Sequence, residues 1–505
     1  VSIIEDIKQK QETNRVLANF GLKIKPFKGL TLDYTLGVDQ YSQKGETFIP
    51  PFAYNVSDGF FGGGAALDPT RNGYASAGNF NFFQINNEVN ATYQTKITTD
   101  LASTTQIGYS VQYEKSTYAL LQGRGLAPFV ETVNGASTLL QGVDDRGEIS
   151  TSGYYVQQNF NYKSIVNLTG ALRVDGSSVF GEDQRNQKYF KASGSYVISE
   201  HEFWKNMNMS KVWNFAKIRV AYGQSGNLTG IGAYSRFNSY SSNSFVSRTS
   251  LISSGTLANT NVKPERQQEL EFGLDLGFFK DRLTLQTNIY TKKVTDLLIN
   301  RFIAPTNGFS SLLDNFGSLE NRGFEIVLTG KPVQNKNFDW TVTGIFNHNR
   351  NKAVRIGQAL TLLSTNAGAP IAIIEGQPIG VFYGAFFALD ANGGLVKNGS
   401  GFPQGERGVQ NSALVFTPQR DPVTGLPITT FPLVRKVLGD PNPDYTASLV
   451  NEITFKKLSL RVQLDAVQGL EVWNADWRTR QGVGNGKEAE KEQTGVYSSG
   501  YINSS

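Results

Sequence analysis

Histidine and cysteine, the residues that most often build catalytic and metal sites, are scarce in this chain. It has no cysteine and two histidines, His201 and His348. This excludes a disulfide framework, a thiol nucleophile, a thiolate metal site and a multi-histidine metal centre. Neither histidine lies in an HExxH-like sequence or near a G-x-S-x-G nucleophile. We therefore expect no catalytic residue, no metal, no cofactor and no enzymatic activity.

Two glycine-rich runs could suggest phosphate binding, but neither has the required spacing. Residues 62–64 are three glycines directly after Phe60 and Phe61, and residues 482–487 read GVGNGK. A phosphate loop needs GxxxxGK[ST] between a strand and a helix, so both runs are interpreted as flexible loop. Carboxylate pairs of the glycosidase type cannot be recognised from spacing, because such pairs are assembled in space.

The composition narrows the class of protein. The chain has 505 residues, with 48 basic against 43 acidic side chains and a net charge of +5. This balance, without a sustained basic run, argues against a nucleic-acid partner. The longest nearly apolar run, residues 381–389, is interrupted by Gly384 and is far shorter than the roughly 20 residues of a membrane helix. A soluble protein or a β-barrel remains, because alternation hides the membrane signal of a barrel.

Strict alternation of apolar and polar residues dominates the chain. In residues 270–276 the even positions are apolar and the odd ones are polar or glycine, and residues 458–465 alternate equally cleanly. Such a period of two predicts strands with one apolar and one wet face. About fourteen segments show it: 14–25, 30–41, 80–96, 99–115, 153–162, 165–177, 188–200, 214–225, 267–278, 281–294, 319–331, 338–349, 442–455 and 458–472.

The lengths of the strands and of their connections favour a membrane barrel. Most segments run 10 to 17 residues, whereas globular strands run about five or six and tilted membrane strands need about nine to eleven. Short and long connections alternate along the chain, as in barrels with tight periplasmic turns and large external loops. The predicted long connections are 42–79, 116–152, 226–266, 295–318 and 350–441.

Aromatic residues lie near the predicted ends of many strands. Examples are Tyr41, Tyr113, Tyr162, Trp213 and Tyr445. As a set they fit the aromatic girdles at the two membrane interfaces. The alternative for any single residue is the general preference of tyrosine and phenylalanine for strands.

One stretch carries a recognisable motif. It begins with Lys263, Pro264 and Glu265, continues through Glu269 and Gly273, and ends in a turn that contains Arg282. It resembles the "N-x-x-L/V-K-P-E … E-x-G … R-L … Y" block of TonB-dependent outer-membrane transporters, and most closely the SusC/RagA class of Bacteroidetes nutrient transporters. Four further segments are similar to that class: residues 28–32, 217–227, 375–384 and 438–445. The last of them contains Gly439, Asp440, Pro441 and Pro443.

This resemblance implies an architecture larger than the chain. Relatives have a barrel of about 22 strands, an N-terminal plug, a TonB-contacting segment and a SusD-like surface lipoprotein as a lid. Residues 1–505 are therefore interpreted as a partial TonB-dependent receptor β-barrel domain without the plug and the last strands. The implied partners are the SusD-like lipoprotein, the TonB complex through the missing N-terminal part, outer-membrane lipid, and a glycan or peptide substrate. Relatives often carry an Asp/Asn/Gly-rich segment that looks like a cation-binding loop. In this chain only residues 390–394 have that composition, so the resemblance does not lead us to expect a metal site.

The physical properties of the motif residues indicate where each of them lies in a barrel. Proline fixes φ and lacks an N–H donor, so Pro264 suits the point where a strand begins. Glu269, Glu271 and Asp275 fall on the face opposite Leu270, which in a barrel is the lumen. Inward acids there either pack against the plug, line a solvated wall or hydrogen-bond a solute. Arg282 lies in a tight polar turn.

The long loops are the expected functional surface. Tyr54, Phe60, Phe61 and Tyr74 lie among glycine, serine and asparagine in the predicted 42–79 loop. Such aromatics suit sugar rings or peptides and equally a protein–protein interface. The 350–441 loop is too long to be structureless in a compact fold. We expect it to fold over the rim and to help hold the lid protein.

The sequence thus predicts an all-β, transmembrane antiparallel β-barrel in the outer membrane of a Gram-negative bacterium. The function expected from the resemblance is TonB-dependent uptake of oligosaccharides or oligopeptides together with a SusD-like lipoprotein. Three alternatives stay open: a passive porin, a siderophore-type TonB-dependent receptor, and a soluble all-β carbohydrate-binding protein.

Overall fold

The dominant feature is a single long sheet. The computed structural model describes residues 5–56, 63–66, 68–246, 248–357, 360–363, 371–476 and 480. Fourteen of its strands form one antiparallel series in which each is hydrogen-bonded to the next along the chain. We number them β1 to β14: Lys8–Ile24, Leu30–Ile49, Tyr74–Lys96, Leu101–Leu126, Val143–Tyr162, Val166–Ser177, Asn186–Val197, Trp213–Asn227, Glu265–Phe278, Leu283–Thr295, Ser318–Gln334, Phe338–Arg355, Tyr445–Phe455 and Leu458–Gln468.

The all-β fold class and the number of strands are confirmed, but several predicted strands were too short. β2 runs to Ile49, β3 starts at Tyr74, β4 reaches Leu126 and β5 starts at Val143. The extra residues are mostly polar and do not alternate cleanly, so the sequence gives no signal for them. They are held as strand by the backbone ladder, in which Lys44 pairs with Glu12 on one side and with Asn79 on the other.

The alternation of short and long connections is confirmed with two exceptions: the 198–212 connection of the short set is longer than the 178–185 connection of the long set. Residues 25–29, 97–100, 163–165, 198–212, 279–282, 335–337 and 456–457 form one set of connections. The other set is 50–73, 127–142, 178–185, 228–264, 296–317 and 356–444. Because consecutive antiparallel strands run in opposite directions, the two sets belong to opposite ends of the strands. All the large loops therefore leave the strands at the same end.

Aromatic placement is confirmed in part. Trp213 opens β8, Tyr162 ends β5 and Tyr445 opens β13. Trp213 packs against Trp204 in the 198–212 connection, with ring centroids 4.6 Å apart. Tyr41 and Tyr113 lie within strands rather than at their ends, because β2 and β4 continue beyond them.

The connections carry the remaining regular structure. The short strands are Ala136–Leu139 beside β4, then Tyr240–Phe245, Arg248–Ser253, Thr256–Leu257, Leu298–Phe302, Ser311–Asn315, Leu360–Leu362, Ile371–Ile374, Val381–Ala385, Gly408–Gln410, Phe416–Pro418 and Arg435–Gly439. The α-helix α1 is Glu202–Lys205, and the 3-10 turns are Val133–Gly135, Glu182–Gln184, Ile198–Glu200, Asn208–Lys211 and Pro305–Asn307. In the part of the chain that the structure describes, no helix has both the length and the apolar character needed to cross a membrane.

The chain divides into two compact units. The first comprises Val1–Tyr162, Thr169–Phe190 and Gly226–Pro264, and the second comprises Lys163–Leu168, Lys191–Ser225 and Glu265–Ser505. Each has a small apolar cluster in or beside a long loop. Ile49, Phe52 and Tyr74 form one in the first unit. The second has the cluster Ala372, Ile374, Val381, Tyr383 and Ala413.

The strands of the second unit have two unlike faces. Leu270 and Phe272 on β9 are 40 % and 56 % exposed, and Ile289 on β10 is 63 % exposed. The alternate residues of the same strands are mostly charged or polar, with glycine at positions 273 and 277. Exposed apolar side chains on one face and paired polar groups on the other are the reverse of a water-soluble sheet over a dry core. They match a membrane strand whose apolar face contacts lipid.

This two-faced wall leads to a stability prediction. Ile289→Lys places a charge on the exposed apolar face near the middle of β10, and we expect a loss of about 2–4 kcal/mol in the free energy of unfolding. Gln286→Lys puts the same charge on the polar face of β10 and should cost less than about 1 kcal/mol. Urea unfolding in lipid vesicles measures both. Equal costs for the two variants would contradict the assignment of the faces.

Candidate functional site

The motif around Pro264 marks the start of β9, as predicted. The strand begins at Glu265, directly after the proline. Oε1 of Glu265 accepts a hydrogen bond of 3.0 Å from the backbone N–H of Leu298, where the next long loop leaves β10. On the other side of Lys263, the side chain of Val262 is fully buried. The motif thus fixes the point at which the 228–264 loop ends and β9 begins.

The polar face of β8 to β10 is organised by one arginine. Arg219 donates from Nε and Nη2 to the two carboxylate oxygens of Asp275, at 3.0 and 2.8 Å. Nη2 also donates to Oδ1 of Asn288 at 2.9 Å. Glu271 lies 3.8 Å from the same guanidinium. A bidentate, charge-assisted pair of this kind ties three neighbouring strands together through their side chains.

Gly273 provides the space for this arginine. A Cβ atom at position 273 would lie 2.6 Å from Cζ of Arg219. This is shorter than any tolerable contact, so the guanidinium, which is held by Asp275, has to shift to make room for a larger residue. The motif glycine is therefore explained by the close approach of a side chain from the neighbouring strand.

A second glycine repeats this arrangement two strands further along. A Cβ at Gly323 of β11 would lie 2.5 Å from the hydroxyl oxygen of Tyr290. That hydroxyl donates to Oδ1 of Asn349 on β12 at 3.3 Å. The tyrosine therefore lies flat across the glycine and links β10 to β12.

Between these groups lies an acidic cavity of about 340 Å³ on the polar face. Three carboxylates and one ammonium group line it together with four neutral polar side chains: Glu269, Glu271, Glu325, Lys292, Asn288, Tyr290, Asn321 and Asn349. Predicted residue Glu269 is part of this cavity. Its donors and acceptors suit hydrogen bonding to a polar solute or to a polar segment packed against the wall. Within the described ranges, no group of three or more metal-ligating side chains is assembled.

Arg282 lies in a tight turn, as predicted. Phe279, Lys280 and Asp281 all have positive φ, at 56°, 60° and 61°. Asn214 at the base of β8 stabilises this strained backbone by accepting from the N–H of Lys280 at 3.0 Å and donating to Asp281 at 2.8 Å. The carbonyl of Arg282 accepts from the N–H of Lys331 at 2.7 Å. Arg282 therefore belongs to the short-turn end, away from the long loops.

Gly439, Asp440, Pro441 and Pro443 lie where the 356–444 loop returns to the wall. Oδ1 of Asp440 accepts from the backbone N–H and the Nδ2 of Asn442, at 2.9 and 2.7 Å. The second proton of that amide goes to the carbonyl of Ile379 at 3.0 Å.

Asn442 also connects the loop to the sheet. Nδ2 of Asn351, on β12, donates to Oδ1 of Asn442 at 2.8 Å. Oδ1 of Asn351 accepts from the N–H of Ile379 at 2.6 Å. The second motif is thus a latch that holds a large loop to the end of its own wall, and Asn351 and Asn442 were not singled out by sequence reasoning.

The described part of the 356–444 loop, which excludes residues 358–359 and 364–370, is folded, as the length of the loop predicted. Within this loop the buried carboxylate of Glu406 forms an ion pair with Arg420. Nη1 of Arg420 also donates to the carbonyl of Leu389 at 2.8 Å. Asp421 caps the following turn by accepting from the N–H groups of Val423 and Thr424, and these bonds hold the pKa of its carboxyl below the ordinary value. Such internal bonding gives the loop a defined surface.

The structure places the predicted loop aromatics in different environments. Tyr54 is exposed, with its ring 5.6 Å from that of buried Phe52. Tyr74 is not in the loop: it opens β3 and is buried, with its hydroxyl donating to Gln122 at 3.2 Å. The prediction erred because β3 starts six residues earlier than the alternation indicates. Phe60 and Phe61 lie outside the described residues.

The same loop contains a buried asparagine that the sequence did not reveal. Asn72 is fully buried. Its side chain accepts from the N–H of Phe52 at 2.9 Å and donates to the carbonyl of Phe52 at 2.7 Å. An asparagine that copies a strand pairing in this way fixes the two ends of the loop to each other.

The close approach at Gly273 leads to a second prediction. Gly273→Ala should lower the free energy of unfolding by about 1–3 kcal/mol, as overpacking does. Gly223→Ala on β8 is the matched control, because a Cβ there meets nothing within 4 Å, and it should change stability by less than about 0.5 kcal/mol. Adding Arg219→Ala to Gly273→Ala should remove most of the penalty specific to the clash. Strictly additive effects of the two changes would contradict it.

Comparison with known proteins agrees with this geometry. Residues 6–501 match the family model described as TonB dependent receptor-like, beta-barrel. The chain is 27 % identical over 411 residues to TonB-dependent receptor P3 of Formosa agariphila, which covers 76 % of this chain and 40 % of that protein. It is 28 % identical over 210 residues to TonB-dependent receptor SusC of Bacteroides thetaiotaomicron, covering 40 % of this chain and 21 % of SusC.

A solved structure shares the fold. The RagAB peptide transporter superposes with a TM-score of 0.72 at 21 % identity, covering 92 % of this chain and 49 % of that one. The chain spans about two fifths of the length of its curated relative P3. The resemblance read from the motif is thus confirmed, together with the transmembrane barrel fold and the outer-membrane location that go with it. The chain belongs to the TonB-dependent receptor β-barrel family, a family of receptors and not of enzymes.

Proposed function

We propose that this chain forms the wall of an outer-membrane importer that takes up oligosaccharides or oligopeptides by TonB-dependent transport. The observation that carries the proposal is the two-faced sheet. One face exposes apolar side chains such as Phe272 and Ile289, and the other pairs its charges around Arg219 and Asp275. A sheet of this kind separates lipid from a polar interior.

The polar face suits passage of a hydrated solute. The cavity beside Glu269, Glu271 and Glu325 has carboxylate acceptors together with amide and hydroxyl groups that both donate and accept. Sugars and peptides present donors and acceptors in similar density, so they exchange hydrogen bonds with this wall at small net cost. In this proposal no bond of the solute is broken. TonB acts through the N-terminal part of the whole protein, and the wall supplies shape and polar contacts.

The folded 356–444 loop is proposed as the contact for a SusD-like lipoprotein lid. It lies at the end of the strands where all the long connections emerge. It has its own ion pair between Glu406 and Arg420 and is latched to β12 through Asn351. RagAB is named as a peptide transporter and SusC as a TonB-dependent receptor. The name of RagAB supports an importer of peptides, while the lid and the glycan alternative rest on the resemblance to the SusC/RagA class.

The lid contact can be tested by deletion. Removing residues 385–430 from the full protein should abolish co-purification with a co-expressed SusD-like lipoprotein, because the folded surface of the loop is lost. The matched control removes residues 240–253, a self-contained hairpin in another long loop, and should leave the complex intact. Tagged lipoprotein captures the complex, and heat-dependent migration on gels checks that each barrel is folded. Full recovery of the complex after the 385–430 deletion contradicts the proposed contact.

Transport itself can be tested in whole cells. We expect cells with the full protein to accumulate a fluorescent oligosaccharide or oligopeptide, and a proton uncoupler should abolish the accumulation. The combined changes Glu269→Gln, Glu271→Gln and Glu325→Gln should lower the rate several-fold while the barrel stays folded, because three carboxylates of the wall are removed. Uptake that persists with the uncoupler identifies a passive porin, and uptake confined to ferric chelates identifies a siderophore receptor.

A further inference from the structure

On β5 the apolar residues of the outward face of the first unit end at Tyr154. On β5 the residues of this face from Tyr162 to Tyr154 span eight positions, or about 27 Å at the rise of an antiparallel strand. At a strand tilt of about 35–45° this length spans about 19–22 Å along the membrane normal, somewhat less than the apolar band of about 25 Å on outer-membrane barrels. Tyr154 is 59 % exposed, and Tyr109, which pairs with it on β4, is 49 % exposed. They mark the edge of the band nearest to the long loops.

One residue on the apolar face of β5 within this band is polar, and the face still belongs to the lipid side. Gln158 lies between Val156 and Phe160, which are both exposed. Its Oε1 accepts from the hydroxyl of Thr105 at 2.7 Å, and its Nε2 donates to Ser103 at 2.7 Å. Because the amide is satisfied by its neighbours, it does not require water in the band.

A cavity of about 500 Å³ lies on the same face, just above the edge of the band. Tyr113, Ser150 and Ser152 line it. They lie four, four and two residues beyond Tyr109 and Tyr154 in an unbroken antiparallel register, and a period of two keeps them on the same side of the sheet. The cavity therefore opens outward, at the height where the headgroups of the outer leaflet begin.

Two arginines give this cavity a positive character. Arg185 follows the turn before β7, and Arg236 comes from the 228–264 loop. Arg236 stacks on the ring of Phe237, with its Cζ 4.1 Å from the ring centroid. Its Nε is buried and has no hydrogen-bond partner in the part of the chain that the structure describes. A buried guanidinium donor without an acceptor is costly and calls for one from outside.

The acidic residue of the cavity is already neutralised. Glu148 lies 3.0 Å from Nζ of Lys115, its outward neighbour on β4. The two arginines therefore keep a net positive charge available. Ser150, Ser152, Ser177, Ser178 and Asn186 add hydroxyl and amide groups around them.

We infer that this cavity binds the phosphate-bearing headgroup of a lipid in the outer leaflet. The guanidinium fork matches phosphate oxygens, and exposed Tyr234 and Phe237 suit the interfacial layer between headgroup and acyl chain. A transported solute is excluded as occupant, because the cavity opens on the face opposite the polar interior. The inference depends on the orientation of the wall in the membrane and not on the identity of the transported solute, so failure of the uptake experiment leaves it unaffected.

The experiment is lipid titration of the delipidated full chain in detergent, followed by native mass spectrometry. The probes are monophosphoryl lipid A, the same lipid without its phosphate, and inorganic phosphate. Arg185→Gln with Arg236→Gln removes both guanidinium groups. Arg248→Gln, an exposed arginine of the same long loop that does not line the cavity, is the matched control. Arg236→Lys keeps the charge without the planar fork and serves if the double variant does not fold.

We expect the wild-type chain and the Arg248→Gln variant to bind the phosphorylated lipid about tenfold more tightly than the double variant, the size of effect lost with charge-assisted hydrogen bonds. The phosphate-free lipid should bind the wild-type chain as weakly as the phosphorylated lipid binds the double variant. Equal binding of the phosphorylated lipid by wild type and double variant overturns the inference. Inorganic phosphate that binds as tightly as the lipid also overturns it, because the site then serves a soluble anion.

Discussion

The whole structure depends on one constraint: backbone N–H and C=O groups within a membrane must be paired along the sheet, because lipid offers them no partner. The continuous ladder from β1 to β14 meets it. Once the backbone is committed to strands, side chains alternate between lipid and lumen, so every strand must be apolar on one side and polar on the other. The charges on the inner side must then be paired with one another. Arg219, Asp275 and the space above Gly273 are the local solution.

Sequence reasoning recovered the parts of the fold that this constraint dictates. Alternation located all fourteen strands, and the parity of loop lengths separated their two ends. It failed at the upper ends of β2 to β5, where the strands leave the band and neither face has to be apolar. There the backbone ladder holds residues such as Lys44 in strand without help from an alternating apolar face. The family assignment excludes the alternative of a soluble all-β carbohydrate-binding protein. A strand wall in a membrane also explains the exposed apolar face.

The site was less accessible to sequence reasoning than the fold. Pro264 and Gly273 could be found because they belong to the motif shared with TonB-dependent transporters, although the contact of Arg219 that explains Gly273 could not. The cavity beside Glu269 and Tyr290 combines side chains of four strands, and their neighbours depend on a register that sequence spacing does not give. The latch through Asn351 and Asn442 joins residues 91 apart in the chain. The sequence gives no signal that two such distant asparagines form a hydrogen bond.

The most direct test of the two-faced wall uses the absence of cysteine from the sequence. Single cysteines at Leu270, Glu271 and Phe272 can each receive a nitroxide spin label in the full chain, reconstituted in lipid vesicles. Collision rates with oxygen, which concentrates in lipid, and with a water-soluble nickel chelate report the two environments. The account predicts high oxygen and low nickel accessibility at 270 and 272, and the reverse at 271. Similar accessibilities at all three positions would contradict it.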